Sequence, residues 1–191
     1  MLTMSTAKSP AGFTLPELVI TVAVLAIATG FAVQSFGGWI ERSNHRTLIE
    51  HYHSIFAFAR WSAASQRQLI TVCPLSSQNK CIDDWQNTIS VFVDSDNNKQ
   101  PDEDTVIREF TPDFGGFRIR SRTAGRGYFQ FNPRGMAHGA MGSLILCPSN
   151  PASGNMSYMA VNIAGRFRAE HDKDADGMIK LSWGAKVFCP G

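Results

Sequence analysis

One apolar run near the N-terminus constrains this chain more than any other feature. From Phe13 to Val33 the only charged residue is Glu17, and from Leu18 onward Val, Ile, Leu and Ala dominate. That is about the ~20-residue length needed to cross a bilayer as a helix. The segment before it is short and polar and carries Lys8, so the N-terminus is expected to stay cytoplasmic and the bulk of the chain to lie outside. A conventional secretory signal would place a small-residue cleavage site after the apolar run. Here the distinctive residues, Gly12-Phe13-Thr14-Leu15-Pro16-Glu17, come before it. Removing only residues 1–12 would leave the membrane helix on the mature chain, with Glu17 as its fifth residue. A carboxylate near the top of a membrane helix is costly without a partner, and the new amino group of Phe13 on a neighbouring subunit is an available cation. The rival reading is an uncleaved anchor whose Glu17 reaches the interface.

After Gly37-Gly38 the pattern turns amphipathic, with Ile40, Asn44, Leu48, Tyr52, Ile55, Phe56, Ala59 and Ala63 three or four apart, so a helix is expected to about Ser65. Trp39, His45, His51 and His53 read as interfacial anchor and solvated helix surface, because no carboxylate or cysteine accompanies them at metal-ligand spacing. From Leu69 the chain breaks into short β-type runs: Leu69–Cys73, Thr88–Val93, Thr105–Phe110, Phe117–Ser121, Tyr128–Phe131, Ser143–Cys147, Tyr158–Ile163 and Arg166–Ala169. The expected class is α+β. A long helix, membrane-spanning and then amphipathic, packs on an antiparallel two-sheet head and buries the apolar side of both. The segments are a leader at 1–12, a membrane helix at 13–38, an amphipathic half at 39–66 and a β-rich head at 67–191.

Cys73, Cys81, Cys147 and Cys189 all follow the apolar run, which suits two disulfides formed after export. Three pairings are open. Cys73–Cys81 with Cys147–Cys189 is favoured, since the first closes a short polar loop and the second ties the C-terminal end back to the head. A four-cysteine zinc site is the rival, but the two short C-x2-4-C knuckles it normally shows are missing.

With 43% hydrophobic and 18% charged residues the chain has the composition of a globular protein, and its net charge of +2 names no partner. The charge is separated along the sequence, however. No acidic residue lies between Asp113 and Glu170, a stretch that holds Arg118, Arg120, Arg122, Arg126, Arg134, Arg166 and Arg168. Arg118, Arg120 and Arg122 alternate with Phe117 and Ile119, and Arg166 and Arg168 flank Phe167, so on strands each set projects from one face. Guanidinium forks suit phosphate, and several such contacts give sequence-independent affinity for nucleic-acid backbone. The bland reading is a solvated strand face.

Two acidic loops imitate calcium loops. Asp172, Asp174, Asp176 and Gly177 fill positions one, three, five and six, but Trp183 stands where a bidentate Glu is wanted; Asp94, Asp96 and Asn98 open a second, with Lys99 in place of the glycine. Turn chemistry accounts for both, so no metal or other cofactor is assigned. Nucleophile-elbow, phosphate-loop and H-E-x-x-H patterns are missing, so an enzyme is not expected.

The run Gly12-Phe13-Thr14-Leu15-Pro16-Glu17-Leu18 resembles the class III signal of type IV prepilins and type II secretion pseudopilins. That resemblance implies cleavage between Gly12 and Phe13 by prepilin peptidase, N-methylation of Phe13, docking through Glu17 onto other major and minor pilins, and an inner-membrane stage before assembly. Gln34 stands where many major pilins carry a helix-distorting proline. The head resembles the GspH/FimT/FimU group through Ala59-Arg60, Ser65-Gln66-Arg67, Thr71-Val72-Cys73-Pro74, Asp94-Ser95-Asp96-Asn97, Phe131-Asn132-Pro133-Arg134-Gly135 and Gly165-Arg166-Phe167-Arg168. The group implies a tip-associated minor subunit with a pilin-like β-rich head. In its FimT branch a C-terminal G-R-x-R motif is associated with binding extracellular DNA, here Gly165, Arg166 and Arg168. The expected function is therefore a non-enzymatic minor pilin. An H-type pseudopilin of type II secretion is the alternative, and a tethered metal-dependent sensor or enzyme is the rival of another class.

Overall fold

The computed structural model describes residues 12–139, 141–150 and 153–189. The leader apart from Gly12, Lys8, the side chain of Gln34 and part of the expected linker at 150–155 lie outside the described residues. Helix α1 runs Leu15–Gln66, and the chain divides into two compact units, residues 1–40 and 41–191.

In the first unit the helix begins where the carbonyl of Thr14 accepts the amides of Glu17 and Leu18, both at 3.1 Å. Pro16 sits in this first turn, where a missing N–H costs no helical bond. The hydroxyls of Thr21 and Thr29 bond back to the carbonyls of Leu18 and Leu25, so the few polar groups in this apolar stretch are satisfied within it. Leu18, Val19, Ile20, Val22, Val24, Leu25 and Ile27 are all exposed, an apolar surface around the whole helix. Among the described residues no helix is long and apolar enough to cross a membrane. The expected span at 13–38 includes residues 31–36, whose side chains are not among those described.

In the second unit the helix buries Leu48, Tyr52, Ile55, Phe56, Ala59 and Ala63, the three-and-four spacing seen in the sequence. Ile40 departs from that expectation: it is exposed and falls in the first unit. Arg67, at φ +54°, ends the helix in a left-handed turn.

Two antiparallel four-stranded sheets follow. The strands are β1 (Ile70–Pro74), β2 (Ile89–Val93), β3 (Val106–Phe110), β4 (Phe117–Ser121), β5 (Phe129–Phe131), β6 (Ser143–Pro148), β7 (Ser157–Val161) and β8 (Phe167–His171). The first sheet is ordered β3-β2-β1-β5 and the second β4-β6-β7-β8. All eight match expected runs within one or two residues at each end. A hairpin of β9 (Met178–Lys180) and β10 (Lys186–Phe188) was not expected, because strands of three residues carry no readable alternation. The main core gathers the helix face and inner residues of both sheets, including Val72, Val91, Phe131, Leu144, Leu146 and Met159. A smaller cluster of Ile145, Cys147, Met156, Ile179, Leu181 and Val187 joins β6 to the hairpin, so the hairpin covers part of the second sheet's outer face.

Disulfides join Cys73 to Cys81 and Cys147 to Cys189, with Cα–Cα distances of 5.5 and 5.8 Å. The second fastens the end of β6 to the residue after β10.

Candidate nucleic-acid interface

On β4, buried Phe117 and Ile119 alternate with exposed Arg118 and Arg120. Arg122 lies just past the strand, but its amide still donates to the carbonyl of Ser143 at 2.7 Å, so the ladder and its parity continue. On β7 the fully buried residues are Ser157, Met159 and Val161, and Tyr158 and Ala160 face outward. On β8 the outward set is Arg168 and Glu170. Register then aligns the outer face in rows. One runs Arg122, Ser143, Ala160, Arg168, and the next Arg120, Ile145, Tyr158, Glu170.

The first row makes a trough of about 420 Å³, with Arg122 and Arg168 at its two sides, Ser143 and Ala160 beneath, and Trp183 from the β9–β10 turn beside Tyr158. Arg120 and Arg122 also line a second recess of about 310 Å³ with Lys186 and Phe188. Three of the five expected arginines, Arg120, Arg122 and Arg168, are thus brought to neighbouring hollows. Arg118 and Arg166 are exposed and line neither. Among the described residues none of the five lies within 4.0 Å of a carboxylate.

Arg166 belongs to the turn that enters β8. Its amide donates to Asn162 Oδ1 at 2.9 Å, and its carbonyl accepts the amide of Asn162 at 3.0 Å. Gly165, at φ +72°, sits so close to the turn ending at Gly135 that a β-carbon would stand 2.2 Å from the Gly135 carbonyl oxygen. That same oxygen accepts Arg60 Nε at 3.0 Å. Three sequence signatures far apart in the chain, at Ala59-Arg60, Asn132–Gly135 and Gly165–Arg168, therefore meet at one junction. The glycine of the G-R-x-R run is required by packing, whereas its arginines face solvent.

His45 corrects the solvated-surface reading. Its Nε2 is 2.7 Å from Ser157 Oγ, and the same hydroxyl is 2.7 Å from His171 Nδ1. Burial, the neighbouring His171 and an opposing contribution from Glu41 leave its pKa lowered to about 4. With Ser157 fully buried, this is a polar seam between helix and second sheet and offers no accessible nucleophile. No sequence spacing could have found it, because its members are brought together only by the packing of β7 and β8 on the helix. His51 and His53 are exposed as expected.

Carboxyl oxygens gather in both acidic loops, at Asp94, Asp96 and Asp102 and at Asp172, Asp174 and Asp176. Asp94 is fully buried and accepts Thr71 Oγ1 at 2.7 Å, Gln130 Nε2 at 2.9 Å and the amide of Lys99 at 3.1 Å. Asp172 Oδ2 accepts the amide of Gly177 at 2.8 Å, while Lys180 Nζ approaches Asp174 and Asp176 at 4.0 and 3.9 Å. The amide bonds that Asp94 accepts from Lys99 and Asp172 from Gly177 are those of structured turns, while Thr71 and Gln130 tie Asp94 to the first sheet. At the other end of the chain, Phe13 is exposed and Glu17 lies in the first helical turn, where a carboxylate meets the positive end of the helix dipole.

Residues 49–165 match the family model of the type II transport protein GspH, and residues 8–33 match the prokaryotic N-terminal methylation motif. Among solved structures, the Pseudomonas aeruginosa type IV minor pilin FimU superposes with a TM-score of 0.56 at 18% identity, covering 71% of this chain and 95% of that one. A second crystal form of FimU gives 0.52 at 17% identity, covering 68% and 94%. The minor pseudopilin EpsH from the Type 2 Secretion System of Vibrio cholerae gives 0.46 at 9% identity, covering 69% and 99%. No curated protein matches the chain in sequence.

Proposed function

Because the chain belongs to the family of the type II transport protein GspH and carries the N-terminal methylation motif, we propose that it is a FimT/FimU-like minor pilin of a type IV pilus whose head contacts DNA phosphates. Prepilin peptidase cuts between Gly12 and Phe13, Phe13 is methylated, and residues 13–38 hold the subunit in the inner membrane until Glu17 docks it onto other pilins. Glu17 has no cation within 4.0 Å among the described residues, which suits a partner supplied by another subunit. Mass spectrometry of the membrane-purified protein is expected to show loss of residues 1–12 and gain of one methyl. Glu17→Ala is expected to be cleaved normally and to be missing from filaments; normal incorporation removes the docking role.

The DNA reading is carried by one observation: five exposed arginines on or beside one sheet, none paired with an acid among the described residues. A secretion pseudopilin has no evident use for a polyanion-binding face, which favours the pilus. Full-length protein in detergent, titrated with labelled duplex at several salt concentrations, should bind without sequence preference. Affinity should fall with salt at about 0.9 log units per neutralised phosphate. Changing Arg166 and Arg168 together to Gln should flatten the slope by roughly two such contacts, and Lys in both places should keep part of the binding. Identical slopes for wild type and the Gln variant would remove these arginines from the function.

A further inference from the structure

We propose that the trough between Arg122 and Arg168 is a binding site for single-stranded DNA, in which one unpaired base enters against Trp183 while the flanking phosphates lie on the two arginines. The proposal rests on the DNA reading above and sharpens it from duplex backbone in general to an unpaired strand.

The shape comes first. Arg122 and Arg168 occupy opposite edges of the four-stranded sheet, three strand spacings apart, or ~14 Å at about 4.8 Å each. The two residues between them, Ser143 and Ala160, are small, so the sheet surface dips where a larger pair would fill it. A duplex is convex and keeps its bases inside; it would touch the rim arginines and leave the floor empty. A flat, unpaired base can reach that floor.

The lining has the chemistry of a strand-tracking groove, which combines cations for the backbone with aromatic faces for the bases. Trp183 meets Tyr158 edge-on, ring centroids 6.3 Å apart at 68°, and remains 62% exposed, so one indole face is free. In the adjoining recess, Phe188 is 64% exposed beside Arg120, Arg122 and Lys186. Arg122 belongs to both hollows, which places a cation between the rings of Trp183 and Phe188.

Glu170 decides what faces inward. Among the described residues it is the one acid lining the trough. A carboxylate there repels phosphate from the floor, but accepts a hydrogen bond from an exocyclic amine such as cytosine N4. In a duplex one of its hydrogens is held by the base pair and the other lies inside the major groove, away from a floor set behind rim arginines, whereas an unpaired base can present both. Phosphate outside and base edge inside is thus the arrangement that satisfies both signs of charge.

The test is fluorescence anisotropy on the full-length chain in detergent, with labelled oligodeoxycytidine and a mixed-sequence duplex, both of about 20 nucleotides, longer than the ~4–16 a single-strand site covers. Wild type is expected to prefer the single strand. Trp183→Leu should weaken single-strand binding by about tenfold, within the range for losing one stacked base, and leave duplex binding within about twofold. Trp183→Phe, which keeps a stacking face, should retain most of the affinity. Ala160→Phe, which fills the floor from outside the hairpin, should repeat the Leu result, with thermal melts confirming the fold of each variant. If neither variant changes single-strand binding, or if both forms of DNA weaken equally, the trough is not the site and only the phosphate reading stands. If wild type binds neither form at low salt, the phosphate reading fails and this inference with it.

Discussion

The two sheets share strand number and antiparallel pairing, yet they treat charge in opposite ways. In the first, β1 is buried along its whole length and β2 nearly so, and the polar residues on the side away from the main core bond one another. Asp94, Thr71, Gln130 and Asn97 close a network with contacts of 2.7–3.0 Å. On the edge strands β4 and β8 of the second, apolar and charged residues alternate, and the outward arginines find no acid among the described residues. The central strands of the first sheet have become interior on both faces, while its edge strand β3 stays partly exposed. The second keeps unanswered positive charge on its edge strands β4 and β8, where the proposed polyanion contact would lie.

Each sheet carries one disulfide, which allows the contrast to be tested by stability. Replacing Cys147 and Cys189 by Ser should cost about 2–5 kcal/mol, the usual range for a native bridge in a small exported domain. The Cys73–Cys81 bridge closes a sequence separation of 8 against 42, and by loop-closure entropy it should contribute about 1.5 kcal/mol less. Denaturant unfolding of the two double-Ser variants measures both. Equal losses would mean that the second sheet and its hairpin gain nothing from the longer tie.

Next in size is the polar hub. Asp94→Ala strips a fully buried acceptor from Thr71 and Gln130 and should lower stability by about 2–3 kcal/mol. Arg168→Gln on the other sheet should stay within about 0.5 kcal/mol, as exposed substitutions usually do. A large stability loss at Arg168 would break the distinction between interior and surface.

Smaller than the loss at Asp94 is the one expected on the seam at His45. Its pKa is about 4 in the folded chain against 6.5 for the free side chain, so below pH 6.5 the unfolded state binds the extra proton. Stability contributed by neutral His45 is therefore complete above pH 6.5 and is lost as pH falls toward about 4. Allowing for solvent screening of a partly exposed ring, the loss should be about 1–2 kcal/mol. Thermal melts from pH 7 to 4 should show it in wild type and not in His45→Gln, with amide exchange rising first in β7 and β8. Loss of protection first in β1 and β2 would reverse the assignment.

The sequence displays what repeats. Three-and-four spacing from Leu48 to Ala63 marks the buried helix face, and period-two alternation marks Arg118 and Arg120 as outward, because both signals are written into neighbouring residues. What it hides are meetings between distant segments. His45 and Ser157 stand 112 residues apart, and the Gly135–Gly165 contact joins two turns whose glycines look merely permissive in isolation. The trough is hidden for the same reason: Arg122, Ala160 and Trp183 come from a strand end, a third strand of the same sheet and a hairpin turn. Asp94 misleads in another way, since an Asp-Asn loop reads as surface until packing turns its first residue inward.

The hairpin of β9 and β10 follows every strand of both sheets and contributes no residue to the main core, so the core can close before the hairpin is in place. A chain emerging N-terminus first can complete its main core while the wall that carries Trp183 does not yet exist. Cys147 must wait as a free thiol until Cys189 arrives 42 residues later. A subunit whose oxidation lags would be folded in most respects yet unlatched at the hairpin. Thiol chemistry would then set the moment at which a head already built is latched at its hairpin.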